Sequence, residues 1–259
     1  MKSLPSRVLK AVSAFENWPY YFLDSLKLLK NEYVLKVRST DHVSYVVRPK
    51  TADRGIVNEV WVDQIYTPEG FDVGEDDVVV DVGAHIGVFS VFAAKKARKG
   101  RVYAFEPLPE NFRLLKENIK RNNASNIVAA NTALSSKKGE RKFYVDPENS
   151  GGHSFYPAEK SKEITVRTDT LENFLADNKV TRIDFLKMDC EGAEYDILFS
   201  LPRKALGKIG KISMEYHDIG EGKNGKSMLD FLESNGFRAT IRENGEIGLI
   251  HAVRRGTKQ

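Results

Sequence analysis

Val78-Val79-Val80-Asp81-Val82-Gly83-Ala84-His85-Ile86-Gly87 is the stretch on which the fold turns. The β-branched run at its head reads as a strand buried on both faces, the kind found in parallel sheets. Gly83 permits a tight turn and lets the backbone approach a ligand with no Cβ in the way. From Ile86 to Ala97 the chain is apolar for two turns and closes in Lys95 and Lys96, cations suited to a helix C-terminus. Strand, glycine turn and helix therefore follow one another directly, with Gly87 allowing close helix–strand packing. The free N–H groups of the helix start face the turn.

The same alternation continues outward. Arg101 to Phe105 is a second strand, Phe112, Leu115 and Ile119 mark an amphipathic helix, and Ile127 to Ala130 is a third strand. Further on, Ile183 to Met188 and Lys208 to Tyr216 read as strands. Ala193, Ile197 and Leu198 open a helix between them, and Met228, Phe231 and Leu232 mark another that ends at Gly236. Alternation at this spacing implies right-handed crossovers, a parallel sheet and helices on both faces. At the C-terminus, Glu243-Asn244-Gly245 separates two strand-like runs. Asn-Gly between strands is a hairpin signal, so the sheet is expected to end with an antiparallel strand.

Two regions depart from the alternation. Before residue 67, helix is expected to Pro19 and again beyond it, with Phe22, Leu23, Leu26 and Leu29 on one face. Short strands follow at 33–37 and 43–48, then a helix from Thr51 to Tyr66. We read residues 1–66 as an extension that packs on the main domain, 67–259, as a cap or as a contact in a homodimer. Between the third and fourth strands, Phe143-Tyr144-Val145 and Ile164-Thr165-Val166 are expected to pair as an inserted hairpin within about 139–168. It carries the loop Asn149-Ser150-Gly151-Gly152-His153-Ser154. Long loops inside a domain are usually functional, and this one is expected to close over a substrate.

Composition bounds the function. The 259 residues carry a net charge of +4, with 41% hydrophobic and 29% charged residues, a globular balance. So mild a charge does not favour nucleic acid as a partner. A single cysteine, Cys190, allows no internal disulfide and suits a reducing, cytoplasmic setting. No apolar run approaches the ~18 residues of a membrane span.

Three clusters carry chemistry. Around Gly83 and Gly87 the glycine spacing lacks the third glycine of dinucleotide binders, and Asp81 would repel a pyrophosphate while suiting an ammonium or sulfonium. Glu106, in Phe105-Glu106-Pro107 at the end of the second strand, lies about 20 residues on, where a carboxylate accepts both hydrogen bonds of a ribose diol. The third cluster joins Lys187, Asp189, Glu191 and Glu194 to Glu215-Tyr216-His217-Asp218 at the carboxyl ends of two later strands, where open α/β sheets place ligands.

These motifs, Val78 to Asn123 and Leu186-Lys187-Met188-Asp189-Cys190-Glu191-Gly192-Ala193-Glu194, resemble the FkbM-type methyltransferases over roughly residues 55–220. The resemblance implies a class I methyltransferase fold of Rossmann-like type, seven-stranded and mostly parallel with one antiparallel strand. It implies S-adenosylmethionine as cofactor and O-methylation of a small molecule or sugar. His85 stands where asparagine is more usual. The cofactor is expected against Asp81, Gly83, Ala84, His85, Gly87, Glu106, Pro107, Thr132, Ala133 and Asp189. Asp189 would position, and Glu191 or a neutral His217 would act as base. No metal is assigned, although Asp189, Glu191 and His217 could instead hold a divalent cation. The absence of an Asn-Pro-Pro-Tyr-like motif disfavours exocyclic base amines. The rivals are an RNA methyltransferase, a nicotinamide-dependent oxidoreductase and a non-catalytic module that binds an adenosyl ligand.

Overall fold

The computed structural model describes residues 4–145, 154–155 and 161–256. Helix α1 (Leu4–Ala14) leads to α2 (Trp18–Ser25), and Pro19 sits in the first turn of α2, where its missing N–H costs nothing. Pro19 thus starts a helix rather than interrupting one. Of the apolar row expected on α2, Phe22 and Leu29 pack on the core, whereas Leu23 and Leu26 are exposed. Strands β1 (Tyr33–Lys36) and β2 (Ser44–Val47) pair antiparallel. The helix expected from Thr51 to Tyr66 is shorter: α3 (Asp53–Asn58) widens into a π-helical turn, Glu59–Asp63, which closes at Gln64 with φ +48°.

The main sheet follows. Its parallel strands are β3 (Val78–Val82), β4 (Arg101–Phe105) and β5 (Ile127–Ala130), linked by α4 (Val88–Lys96) and α5 (Pro109–Arg121). A small sheet comes next, of β6 (Ala133–Leu134), β7 (Gly139–Val145) and β8 (Lys162–Asp169). In it Phe143 pairs with Ile164, as the expected hairpin requires, and β6 adds a parallel strand to β8. The loop from Asn149 to His153 lies outside the described residues.

The main sheet resumes with α6 (Leu171–Asp177), β9 (Ile183–Met188), α7 (Ala193–Phe199), α8 (Arg203–Leu206), β10 (Ile209–His217) and α9 (Gly225–Ser234). It closes with β11 (Phe237–Asn244) and β12 (Ile247–Arg254). The strand order is β11-β12-β10-β9-β3-β4-β5. β12 runs antiparallel to both neighbours, β10 and β11. The antiparallel strand therefore ends the chain but not the sheet, since it slots between β10 and β11. The turn at Gly245, φ +71°, makes this reversal possible.

Alternate residues of each strand feed two cores. On one face Val79, Val102 and Phe185 pack under α4, α5 and the N-terminal hairpin. On the other Val80, Tyr103, Leu186 and Ile212 pack under α6 to α9. Each fully buried apolar side chain contributes about 1.5–3 kcal/mol, which is what fixes the register of β3. The β1–β2 hairpin is bolted to α5 by buried amides. Val46 N–H donates to Asn118 Oδ1 at 2.7 Å, and Asn118 Nδ2 donates to the Ile86 carbonyl at 2.9 Å. The extension is thereby tied to the glycine turn. Among the described residues, no helix is long and apolar enough to cross a membrane.

Candidate active site

The turn after β3 is shaped by contacts that only glycine allows. Gly83 has φ +76°, and a Cβ there would lie 1.8 Å from the Asp189 carbonyl oxygen. The ends of β3 and β9 therefore touch at this residue. Gly83 N–H and Ala84 N–H both donate to the Phe105 carbonyl, at 3.1 and 2.9 Å, which draws the turn toward β4. Gly87 has φ +84°, and a Cβ there would meet Leu115 Cδ1 at 2.4 Å. Its absent side chain admits helix α5, a helix–helix contact in place of the helix–strand contact expected.

A cleft of about 630 Å³ opens at the carboxyl ends of β3, β4 and β9. Of the cofactor residues expected from sequence, Gly83, His85, Glu106, Pro107, Ala133 and Asp189 line it, and so does Glu191. Asp81, Ala84, Gly87 and Thr132 do not. Residues that sequence reasoning missed complete the wall: Ile56 from α3, Asn111 from α5, and Phe143 with Phe155 from the inserted sheet. Phe143 and Phe155 meet edge to face, with ring centres 5.3 Å apart. Ser154, beside Phe155, donates its hydroxyl to the Glu191 carbonyl at 2.8 Å. The inserted sheet thus reaches the third cluster.

Glu106 is buried at the floor of the cleft. Its carboxylate accepts from His85 N–H and Leu108 N–H, each at 2.8 Å. Burial nevertheless dominates and raises its pKa from 4.5 to about 7. His85, with φ +53°, places Nε2 3.7 Å from Asp53 Oδ1. Asp53 is itself paired with Arg48, whose Nη2 lies 2.8 Å from Oδ1 and 2.7 Å from Asn111 Oδ1. The extension therefore braces one wall of the cleft.

Asp81 is fully buried and faces Lys187, its neighbour across the β3–β9 ladder. The Lys187 Nζ to Asp81 Oδ1 distance is 3.3 Å, and Ser90 Oγ donates to Oδ2. An ammonium does sit against this carboxylate, but it belongs to the protein. Lys187 also donates to the Gly83 carbonyl at 2.9 Å and lies 3.9 Å from Asp189 Oδ2. Burial works against its charge, yet Asp81 and Asp189 outweigh that and raise its pKa.

Asp189 also accepts from the Tyr66 hydroxyl at 2.8 Å. Past it lies a knot of charge. His217 Nε2 is 3.2 Å from Glu191 Oε2 and 3.5 Å from Glu215 Oε1, and its Nδ1 is 3.3 Å from Glu194 Oε1. Burial disfavours the imidazolium, but these carboxylates prevail and carry its pKa to about 11. A neutral His217 acting as base, as the sequence suggested, is not what these surroundings favour. Burial raises Glu191 to about 8, with His217 opposing and nearby carboxylates adding. Glu59, from the π-helical turn, keeps an exposed surface, and partial loss of hydration together with Asp189 and Glu215 pushes its pKa upward.

Residues 81–239 match the methyltransferase FkbM domain. The chain belongs to the FkbM methyltransferase family. Among relatives of this methyltransferase, the 31-O-demethyl-FK506 methyltransferase FkbM of Streptomyces tacrolimicus is 26% identical, over 73% of this chain and 83% of its own. The AMB antimetabolite synthetase AmbE of Pseudomonas aeruginosa is 29% identical over 73% of this chain, which spans only 11% of AmbE. In fold, the fibrillarin pre-rRNA processing protein of Methanococcus jannaschii superposes with a TM-score of 0.50. It is 15% identical, and the match covers 88% of this chain and 100% of that one. The sheet order and the match together make this a class I methyltransferase that uses S-adenosylmethionine. The cleft fits that cofactor: the turn at Gly83 lines it beside a buried acceptor, Glu106.

Proposed function

We propose that the protein methylates a hydroxyl group of a small molecule or sugar. The observation that carries this reading is that two carboxylates, Asp189 and Glu191, line the same cleft as Glu106. When bound, S-adenosylmethionine supplies a methyl group on a sulfonium that departs as a neutral thioether.

The protein's own residues supply the rest. Glu106 accepts hydrogen bonds from the ribose diol, and the Gly83 turn lines the cleft beside it. Asp189, held between Tyr66 and Lys187, orients the acceptor hydroxyl. Glu191 receives the proton, because its carboxylate lines the cleft while both ring nitrogens of His217 are turned to carboxylates. Phe143 and Phe155 wall the cleft with apolar surface and exclude water. The extension acts as a cap, since Ile56 and Tyr66 both reach this cleft or its edge. The oxygen acceptor in the name of the Streptomyces relative agrees with this choice.

The test is transfer of a labelled methyl group to a panel of sugars, hydroxylated small molecules, amines and RNA. Label recovered as a methyl ether supports the reading. Transfer confined to amines or RNA, or to no acceptor while the cofactor binds, defeats it.

A further inference from the structure

We propose that Asp189, Glu215 and His217 form a site for one divalent cation of the Mn²⁺ type at the acceptor end of the cleft. The inference rests on the O-methylation reading for its role, but not for its geometry. Glu215 and His217 lie two apart on β10 and so share one face of the strand. The β9–β10 register, with Met188 beside Met214, brings Asp189 next to Glu215. One donor atom from each of the three residues lies within 4.8 Å of the others. Bonds of about 2.0–2.2 Å to a common ion need donors somewhat closer than this, a small inward adjustment of side chains.

Two independent features point to an ion rather than to a cluster of acids alone. The first is His217, which is only 7% exposed, with neither ring nitrogen in a hydrogen bond. Its Nδ1 faces Glu194 Oε1 at 3.3 Å, and Glu194 is fully buried. A carboxylate behind one imidazole nitrogen is the arrangement that fixes the tautomer of a metal-binding histidine. It leaves Nε2 facing Glu191 Oε2 at 3.2 Å and Glu215 Oε1 at 3.5 Å, with Asp189 in the same group.

The second feature is charge. Glu191, Glu194 and Glu215 surround His217, Asp189 and Glu59 stand near Glu215, Lys187 is the adjoining ammonium, and Glu194 Oε2 has no hydrogen-bond partner. Lys187 and the His217 ring leave these carboxylates in excess, and a bound cation would offset the rest. The two carboxylates suit Mn²⁺, and the imidazole adds a nitrogen donor whose coupling to the ion can be read.

An ion there would polarise the acceptor hydroxyl and lower its pKa. The O–H proton passes to Glu191 and the oxygen forms its bond to the methyl carbon. The carbon–sulfur bond breaks with its electron pair staying on sulfur, so charge and atoms balance.

The experiment is Mn²⁺ titration of the full chain, followed by electron paramagnetic resonance. Pulsed measurements look for ¹⁴N coupling from an imidazole. Glu215→Gln and His217→Gln are titrated in parallel, and S-adenosylhomocysteine binding is measured on every sample. The expected result is one Mn²⁺ per chain with nitrogen coupling. Each substitution should weaken it at least about tenfold, since even a residue behind a metal ligand is worth that much. Failure of the wild-type chain to take up Mn²⁺ at millimolar concentration overturns the site, and so does uptake without nitrogen coupling. Both readouts hold even if a variant fails to fold. Uptake with coupling but no methyl ether formed in any acceptor assay keeps the cation site and defeats the O-methylation reading. Methyl ether formed at full rate by metal-stripped protein overturns the cation's role while leaving that reading intact.

Discussion

The two ends of the cleft are built differently. At the cofactor end, the residues that matter come from adjacent segments: Gly83 and His85 follow β3, and Glu106 follows β4. Backbone groups satisfy the polar side chain there, since His85 N–H and Leu108 N–H hold Glu106. At the acceptor end, side chains from three distant stretches hold one another. Tyr66, Lys187, Asp189, Glu191, Glu215 and His217 form a partly buried network with Glu59 beside it. The first end is a property of local backbone geometry. The second is a property of tertiary assembly, and it should respond to change in a different way.

Gly83→Ala should have the largest effect. Its Cβ would fall 1.8 Å from a backbone oxygen at a φ of +76°, so strain and overpacking together should cost about 3 kcal/mol or more. Urea unfolding reads that loss, and cofactor binding should go with it. Normal stability in this variant would show that the two strand ends do not meet as described.

Glu106→Gln comes next. Replacing the charged acceptor of a ribose diol should weaken S-adenosylhomocysteine binding by about 1.5–3 kcal/mol, roughly ten- to a hundredfold. The pH dependence is distinctive because burial raises Glu106 from 4.5 to about 7. The folded, cofactor-free chain prefers the neutral acid. That contribution to stability is present below pH 4.5 and lost as pH rises through about 7. Binding needs the ionised form, so affinity should rise over the same interval. Both slopes should flatten in the glutamine variant, in calorimetry for binding and in thermal unfolding for stability.

Tyr66→Phe probes the acceptor end. It removes the hydroxyl that donates to Asp189 at 2.8 Å and should lower stability by about 1–1.5 kcal/mol. Turnover should fall more than cofactor affinity, because Asp189 loses its alignment and Glu106 does not. Equal losses in both would erase the distinction between the two ends.

Ser90→Ala should be the mildest change, about 1 kcal/mol, since it removes one hydrogen bond to Asp81. Cofactor affinity should hold within about twofold, because a change under 0.5 kcal/mol is what a residue off the cleft should produce. A large loss of affinity would return Asp81 to the cofactor.

The same contrast explains what could be read in the sequence. Strands β3 to β5 and the helices between them announce themselves because buried parallel strands are continuous apolar runs and each glycine turn is local. The Asn244-Gly245 hairpin is equally local. That β12 would insert between β10 and β11 is not, for strand adjacency is decided by packing on the far side of the sheet. Asp81 was legible as a position but not as a role. Its partner, Lys187, lies more than a hundred residues away and meets it only through the β3–β9 register. Tyr66 and Glu59 were hidden for a related reason. The apolar pattern from Thr51 to Tyr66 reads as one helix, and nothing local signals the π-helical turn that points Glu59 toward Asp189 and Glu215. Ile56, Phe143 and Phe155 looked like ordinary core residues, which by composition they are.

The most direct test is calorimetric titration of the full chain with S-adenosylhomocysteine and with NADH, repeated on Glu106→Gln. The account predicts one adenosyl ligand bound per chain, weakened roughly ten- to a hundredfold by the substitution, and no heat from NADH. Binding of NADH, or S-adenosylhomocysteine binding that ignores Glu106, would contradict the placement of the cofactor in this cleft.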